Sequence, residues 1–147
     1  MITVFDTRIS NGERAIERWN GIFEATVAEP RRQIVVSLLD RSPDRSIPLP
    51  ESAINPAVPT DLDCLRQQLI HHHLPLLEDL SFIEWSREPF VATRGPRFDE
   101  VAVVFESLHR YSTQIPDSLV VGCHRLEAAR EMGRDTEMEY NSDSRLG

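Results

Sequence analysis

Residues 60–94 read TDLDCLRQQLIHHHLPLLEDLSFIEWSREPFVATR. Leucines recur through the first half at spacings of three, four, seven and four residues, the periodicity of one helical face. They are Leu62, Leu65, Leu69, Leu76 and Leu80. Thr60 precedes the run and carboxylates occupy the first turn, so the sequence predicts an N-cap at Thr60 and a helix to Leu80. Pro75 lacks an N–H group, and we therefore expect a kink there.

After Leu80 the sequence changes to β-branched and aromatic residues on either side of a turn that contains Pro89. This composition predicts a hairpin with strands at residues 82–85 and 90–93. A helix that enters a two-stranded wing is typical of a winged helix-turn-helix. The predicted fold class is therefore mostly α with a small β wing (α+β), a winged helix-turn-helix with flanking N- and C-terminal helices.

Upstream of this stretch, the sequence predicts two helices and a short strand. An apolar stripe predicts a helix over about residues 12–27, and Pro30 suits the first turn of a second helix that buries residues 34–39. Residues 47–49 are a candidate third strand, whose proline suits an edge. Residues 50–54 are a candidate short helix, the first half of the helix-turn-helix.

The ends of the chain predict less regular structure. Residues 1–9 are interpreted as a short strand or a frayed arm. Beyond the wing, apolar spacing predicts a helix over about residues 97–113, and a short helix over 124–132 precedes a polar tail. The predicted domains are an N-terminal arm (1–10), a winged helix-turn-helix domain with terminal dimerisation helices (11–113), and an acidic, partly disordered tail (114–147).

The segment from His71 to Trp85, HHHLPLLEDLSFIEW, resembles a pattern of haloarchaeal winged-helix proteins of the broad ArsR-like kind. Those proteins read approximately His-x-His-Leu-Pro-basic-Leu, then Gly-aliphatic-aliphatic-Glu and an aromatic residue. Residues 29–32 are similar to their Glu-Arg-Arg helix start, and the resemblance covers roughly residues 20–110. Leu76 stands in place of a basic residue and Ser81 in place of glycine. The resemblance implies a DNA-binding transcriptional regulator whose terminal helices pair in a homodimer.

The composition indicates a protein of a salt-rich cytoplasm. Net charge is −8, and all sixteen basic residues are arginine. An acidic surface without lysine fits a halophilic archaeon, although a GC-rich genome also favours arginine codons. We expect a cytoplasmic protein without membrane contact, because no long apolar run or signal peptide is visible. The two cysteines lie far apart in the sequence and are expected to be free thiols.

The polar face of the predicted helix 60–80 carries side chains that bond base edges in the major groove. Arginines surround the wing, where phosphate contacts are common. The predicted DNA-binding residues are Arg66, Gln67, Gln68, His71, Arg87, Arg94 and Arg97. The alternative is an ordinary solvated face, since one arginine against four carboxylates gives residues 61–80 a balance of −3. Near 1 M salt the Debye length is about 3 Å, which weakens this objection.

The apolar stripes near residues 12–27 and 97–113 exceed what a small winged-helix core needs. A homodimer is therefore expected. The predicted dimerisation residues are Ile16, Trp19, Phe23, Val101, Val104, Phe105 and Leu108. The alternative is that both helices pack on their own domain, because small cores also need that area.

Three consecutive histidines raise the question of a metal site. Neighbouring helical positions diverge by about 100°, so His71, His72 and His73 do not converge easily on one ion. On the helical wheel His72 falls on the leucine side, and we interpret it as a core histidine. The sequence contains no phosphate-binding loop or nucleophile motif. It predicts no metal site, no cofactor and no enzymatic activity.

Two function hypotheses follow from these patterns. The first is a DNA-binding transcriptional regulator that acts as a winged-helix homodimer on double-stranded DNA. The second is a winged-helix module for protein–protein contact, which the acidic helix and its proline-rich approach favour. A DNA-binding surface requires Arg66, Arg87, Arg94 and Arg97 on one face.

Overall fold

The computed structural model combines several helices with a small sheet, and it describes the backbone of residues 4–145 and the side chains of residues 6–135. The α-helices are α1 (Val4–Thr26), α2 (Glu29–Leu39), α3 (Leu62–Gln68), α4 (Leu74–Asp79), α5 (Phe98–Arg110), α6 (Asp117–Val120) and α7 (His124–Arg145). The strands are β1 (Ile47–Pro48), β2 (Ile83–Arg87) and β3 (Phe90–Arg94). Short 3₁₀ helices cover Glu51–Ala53 and Ser112–Gln114, and a π-helical turn covers Leu69–His73.

The three strands form an antiparallel sheet in the order β1–β3–β2. Ala92 of β3 lies opposite Trp85 of β2 and opposite Ile47 of β1. The predicted hairpin and the predicted third strand are therefore confirmed, and the fold is mostly helical with a small sheet. Pro48 lies on an edge strand, where the missing N–H group costs no ladder hydrogen bond.

Helix α2 lies at the centre of the core. Ile34, Val35 and Leu38 have no exposed surface, and they belong to one cluster with the buried side chains of α4 and α5. Because α1, α5, the 3₁₀ helix Glu51–Ala53 and the π-helical turn all contact α2, its burial extends beyond a single stripe to Arg31, Gln33 and Ser37. Burial of apolar surface of this kind is the main favourable term in folding.

The junction between α4 and the sheet is a tight helix end. The N–H of Phe82 donates to Leu77 O at 3.0 Å and the N–H of Ser81 donates to Glu78 O at 2.9 Å, which is the Schellman arrangement. Ser81 takes the left-handed conformation (φ 65°) that glycine usually supplies there. Gly95 packs so closely that a Cβ atom would meet the Ser81 carbonyl oxygen at 2.6 Å. The two ends of the hairpin, at Ser81 and Gly95, are therefore packed tightly against each other.

Several predicted boundaries differ from the structure. The N-cap of α3 is Asp61 instead of Thr60, because the Asp61 carboxylate accepts from the N–H of Cys64 at 3.1 Å. Helix α1 begins by Val4, so most of the predicted N-terminal arm is helical; residues 1–3 lie outside the described residues. Helix α7 continues to Arg145, where the sequence predicted a short helix and a disordered tail.

Just before Pro75, where the sequence predicted a kink, the residues Leu69–His73 form a π-helical turn. The N–H of Leu74 donates to Leu69 O, five residues back, so this turn holds one more residue than an α-helical turn. The extra residue rotates the following side chains, and His73 instead of His72 enters the core. His73 is 7% exposed, whereas His72 is exposed, and the prediction of a core His72 was wrong.

Candidate nucleic-acid interface

The outer face of α3 and the π-helical turn presents three polar side chains to solvent. Gln67, Gln68 and His71 are all exposed. The His71 Nε2 and the Gln67 Oε1 lie 3.1 Å apart, and Gln68 Nε2 donates to Cys64 Sγ at 3.7 Å. These contacts join residues four apart on one helix and leave other donors and acceptors of the two amides free for a ligand.

Arg66 does not project from this face as a free cation. Its guanidinium carbon lies 4.5 Å from the centroid of the Phe90 ring, and the residue is half-buried. Phe90 opens β3 and meets Trp85 edge-on at 6.5 Å between ring centroids. Arg66 therefore joins α3 to the hairpin through a cation–π contact, and its role in the fold is positional.

Arg94 is engaged even more fully inside the chain. Its Nη2 donates to Leu38 O at 3.0 Å and to Arg41 O at 2.8 Å, so it caps the carboxyl end of α2. The guanidinium carbon also lies 4.8 Å from the Phe98 ring centroid. These bonds hold the guanidinium against α2 and give Arg94 a structural role. Its predicted phosphate contact stays a prediction.

The remaining predicted arginines stay accessible. Arg87 ends β2 next to the hairpin turn, and Arg97 precedes α5; both are exposed. Asp63, Glu78 and Asp79 are also exposed along α3 and α4. The structure thus brings the two amides of α3 close to His71 of the π-helical turn and leaves Arg87 and Arg97 exposed near the hairpin. Arg66 and Arg94 are engaged in contacts within the chain.

A buried cluster that the sequence did not reveal lies behind this face. Arg31 is 4% exposed, and its Nη1 lies 3.3 Å from His72 Nε2 and 3.4 Å from His73 Nδ1. Burial, together with the neighbouring Arg31 and His72, lowers the pKa of His73 to about 4. Neutral His73 can accept from Arg31 through Nδ1. The sequence signals were two arginines at the start of α2 and three consecutive histidines, but the sequence alone did not pair them.

The residues predicted for dimerisation divide into two groups. Ile16, Trp19 and Phe23 lie on the outside of α1, with the two rings 6.0 Å apart between centroids. Val101 and Phe105 instead belong to the core of a single chain. Their predicted interface role is corrected, because α2 and its neighbours already cover them. Val104 packs partly against the same core, and Leu108 is exposed.

Metal-binding clusters and membrane-spanning helices are absent from the described part of the chain. Among the residues whose side chains are described, no group of three or more histidine, cysteine or carboxylate side chains could hold a metal ion. None of the helices over residues 4–145 is long and apolar enough to cross a membrane. No family model, no curated protein and no solved structure matches the chain.

Proposed function

We propose that the chain is a winged helix-turn-helix protein that binds double-stranded DNA as a homodimer and regulates transcription. The observation that carries the proposal is the direct passage from α3 and α4 into the β2–β3 hairpin, fixed by Ser81 and Gly95. In this proposal α3 is the recognition helix, the hairpin is the wing and Glu51–Ala53 is the preceding helix.

In this proposal the exposed polar side chains face the DNA. Gln67, Gln68 and His71 read base edges, and Arg87 and Arg97 contact phosphates. Arg66 and Arg94 contribute indirectly by fixing the hairpin against α3 and α2. A surface with so few free cations makes few phosphate contacts, so we expect a shallow dependence of affinity on salt.

The exposed stripe on α1 supports the homodimer. Ile9, Ile16, Trp19, Phe23 and Val27 are large apolar residues at intervals of three, four or seven, and each is about half exposed or more. That spacing is typical of a helix that pairs with another helix. Exposed apolar stripes of this length mark interaction surfaces. Pairing of α1 with the same helix of a second copy covers the stripe.

Chromatin immunoprecipitation of the tagged chain in its native host tests DNA binding. We expect sharp promoter peaks that disappear in an Arg87→Ala/Arg97→Ala double variant. An Arg8→Ala/Arg110→Ala variant removes the same charge from exposed positions elsewhere and should keep the peaks. A flat profile from folded, well-expressed protein would rule out the DNA-binding proposal.

A protein partner is the second candidate, and a specific observation favours it. Asp63, Glu78 and Asp79 are exposed along α3 and α4, and the nearby Arg66 lies against Phe90. An acidic surface of this kind complements a basic partner. A flat chromatin profile, together with a partner whose capture is lost in Asp63→Asn/Glu78→Gln protein, would establish this alternative.

A further inference from the structure

A cavity of about 580 Å³ opens between α2, α5 and the segment that joins α6 to α7. Small-molecule sites occupy roughly 300–1,000 Å³, so the volume suits an organic ligand. Four apolar side chains of its lining, Val58, Leu108, Leu119 and Val121, are about half exposed or more, and the core ring of Phe105 lines it as well. A ligand with an apolar body would remove this surface from water, which favours binding.

The charged side chains of the lining are already paired within the chain. Arg32 Nη2 donates to Glu29 Oε2 at 2.7 Å, and Gln33 Nε2 donates to Glu29 Oε1 at 2.8 Å. The third charged side chain of the lining, Arg125, donates to the Asp40 carboxylate. A charged ligand would lose hydration on entering the cavity without gaining an unpaired opposite charge. The lining therefore favours an uncharged ligand.

His109 provides a polar group that is still available to a ligand. Its ring lines the cavity and is partly buried. Burial lowers the pKa of His109, so the ring is neutral at pH 7 and has one N–H donor and one acceptor nitrogen. None of the residues whose side chains are described forms a hydrogen bond with this ring. A hydroxyl group on a ligand matches it, because a hydroxyl both donates and accepts.

We propose that this cavity binds an uncharged organic molecule with an aromatic or other apolar body and a hydroxyl group that forms a hydrogen bond with His109. The apolar body lies against Leu119, Val121 and Phe105. Binding of this ligand does not depend on the proposed DNA-binding function.

An NMR titration of the full chain at pH 7 with 2-naphthol tests the site, because this probe is an uncharged hydroxylated aromatic molecule. We expect saturable shifts of the amide signals of Val121, Gly122 and Cys123. The anion 2-naphthoate has the same ring system with a carboxylate in place of the hydroxyl group. It should bind at least about tenfold more weakly, since no lining cation is unpaired.

The hydrogen bond to His109 is tested by a change in preference between two probes. The ratio of the affinities for 2-naphthol and naphthalene should fall about three- to tenfold in His109→Phe protein, because phenylalanine keeps an aromatic ring but forms no hydrogen bond. A general disturbance of the cavity would weaken both probes and leave this ratio unchanged. An unchanged ratio would therefore contradict the contact with His109.

A matched pair of variants tests the apolar wall. Leu119→Glu places a carboxylate in the wall and should weaken 2-naphthol binding at least about tenfold. Leu62→Glu makes the same change at a similarly exposed leucine outside the cavity, and the affinity should be retained. Equal affinities of the two variants would overturn the assignment to this cavity.

Three further results would overturn the proposal. They are the absence of saturable shifts, binding of 2-naphthoate as tight as that of 2-naphthol, and shifts centred on Cys64 and Gln68. The last result would place the ligand in a neighbouring cavity of about 490 Å³, which shares Glu29, Asn55 and Val58 with this one. Saturable binding at Gly122 together with a flat chromatin profile would refute the proposed DNA binding and leave the ligand site intact.

Discussion

Helices α1 and α5 both carry apolar stripes, but only α5 turns its stripe into the core. Val101 and Phe105 of α5 are buried against α2, whereas Trp19 and Phe23 of α1 are 52% and 60% exposed. Helix α1 packs on the core through Ile22 and Ala25, which lie beside the exposed stripe. An amphipathic sequence thus identifies an apolar helix face that packs against another element. It does not show whether that element belongs to the same chain or to a second one.

The largest effect should come from the buried stripe. Phe105→Ala removes a side chain that is 6% exposed and should lower the free energy of unfolding by about 3–5 kcal/mol. Urea denaturation followed by circular dichroism measures the loss. Leu108→Ala, on the same helix but exposed, should cost less than about 1 kcal/mol. Equal losses would contradict the distinction between buried and exposed positions of α5.

The exposed stripe should affect association instead of folding. If α1 pairs in the proposed homodimer, Phe23→Glu should raise its dissociation constant at least about thirtyfold, which corresponds to ~2 kcal/mol. The far-UV circular dichroism spectrum should not change, because Phe23 is largely exposed. Sedimentation equilibrium gives the constant, with Ser10→Glu as a control that adds the same charge at another exposed position of α1. A wild-type chain that sediments only as a monomer would contradict the proposed homodimer.

The stability of the folded chain should also depend on pH, because His73 is buried in the core. The pKa of His73 is lowered from 6.5 to about 4 in the folded chain, so at pH values between these the unfolded chain binds more protons. The contribution of His73 to the free energy of unfolding should therefore be fully present above pH 6.5 and should fall as the pH is lowered towards 4. Below pH 4, His73 should cause no further loss.

Urea midpoints between pH 7 and pH 4 for wild-type and His73→Asn protein measure this contribution as a difference. Carboxylate titration affects both proteins and cancels. His71→Asn is the control, because His71 lies on the exposed side of the same π-helical turn. The same pH dependence in His73→Asn and wild-type protein would show that another group is responsible.

The smallest effect should come from the ion pair that joins α1 to α5. Arg18 Nη1 lies 3.8 Å from Glu100 Oε2, and the side chains are 41% and 30% exposed. Exposed pairs contribute about 0.2–1 kcal/mol, so a double-mutant cycle with Arg18→Ala and Glu100→Ala should give a coupling in that range. A coupling much larger than this would mean that the pair, rather than apolar packing, holds α1 against α5.

The sequence predicts the local elements of the fold well because their determinants are local. The leucine periodicity indicates the α3–α4 segment, and the aromatic and β-branched residues around Pro89 indicate the hairpin. Ile47–Pro48 is also recognised as a strand. The left-handed position at Ser81 lies where the resemblance placed glycine, and the structure accommodates serine there with the Schellman bonds intact.

The candidate site is less predictable because its determinants are distant in sequence. Arg94 contacts carbonyl groups more than fifty residues away, and Arg66 of α3 contacts the ring of Phe90 in the hairpin. Composition around the hairpin cannot distinguish these arginines from Arg87, which remains exposed. A helical wheel with α-helical spacing also cannot anticipate a π-helical turn, and for that reason it assigned His72 to the core in place of His73.

The π-helical turn at Leu69–His73 also predicts where this helix can lose a residue by mutation. The turn already holds one surplus residue relative to an α-helix. Deletion of a single residue there would restore ordinary spacing without rotating the outer face of α3 relative to the hairpin. Elsewhere in α3 or α4, the same deletion would turn one end against the other by about 100°. We therefore expect the segment between Ile70 and His73 to tolerate loss of a residue better than its neighbours.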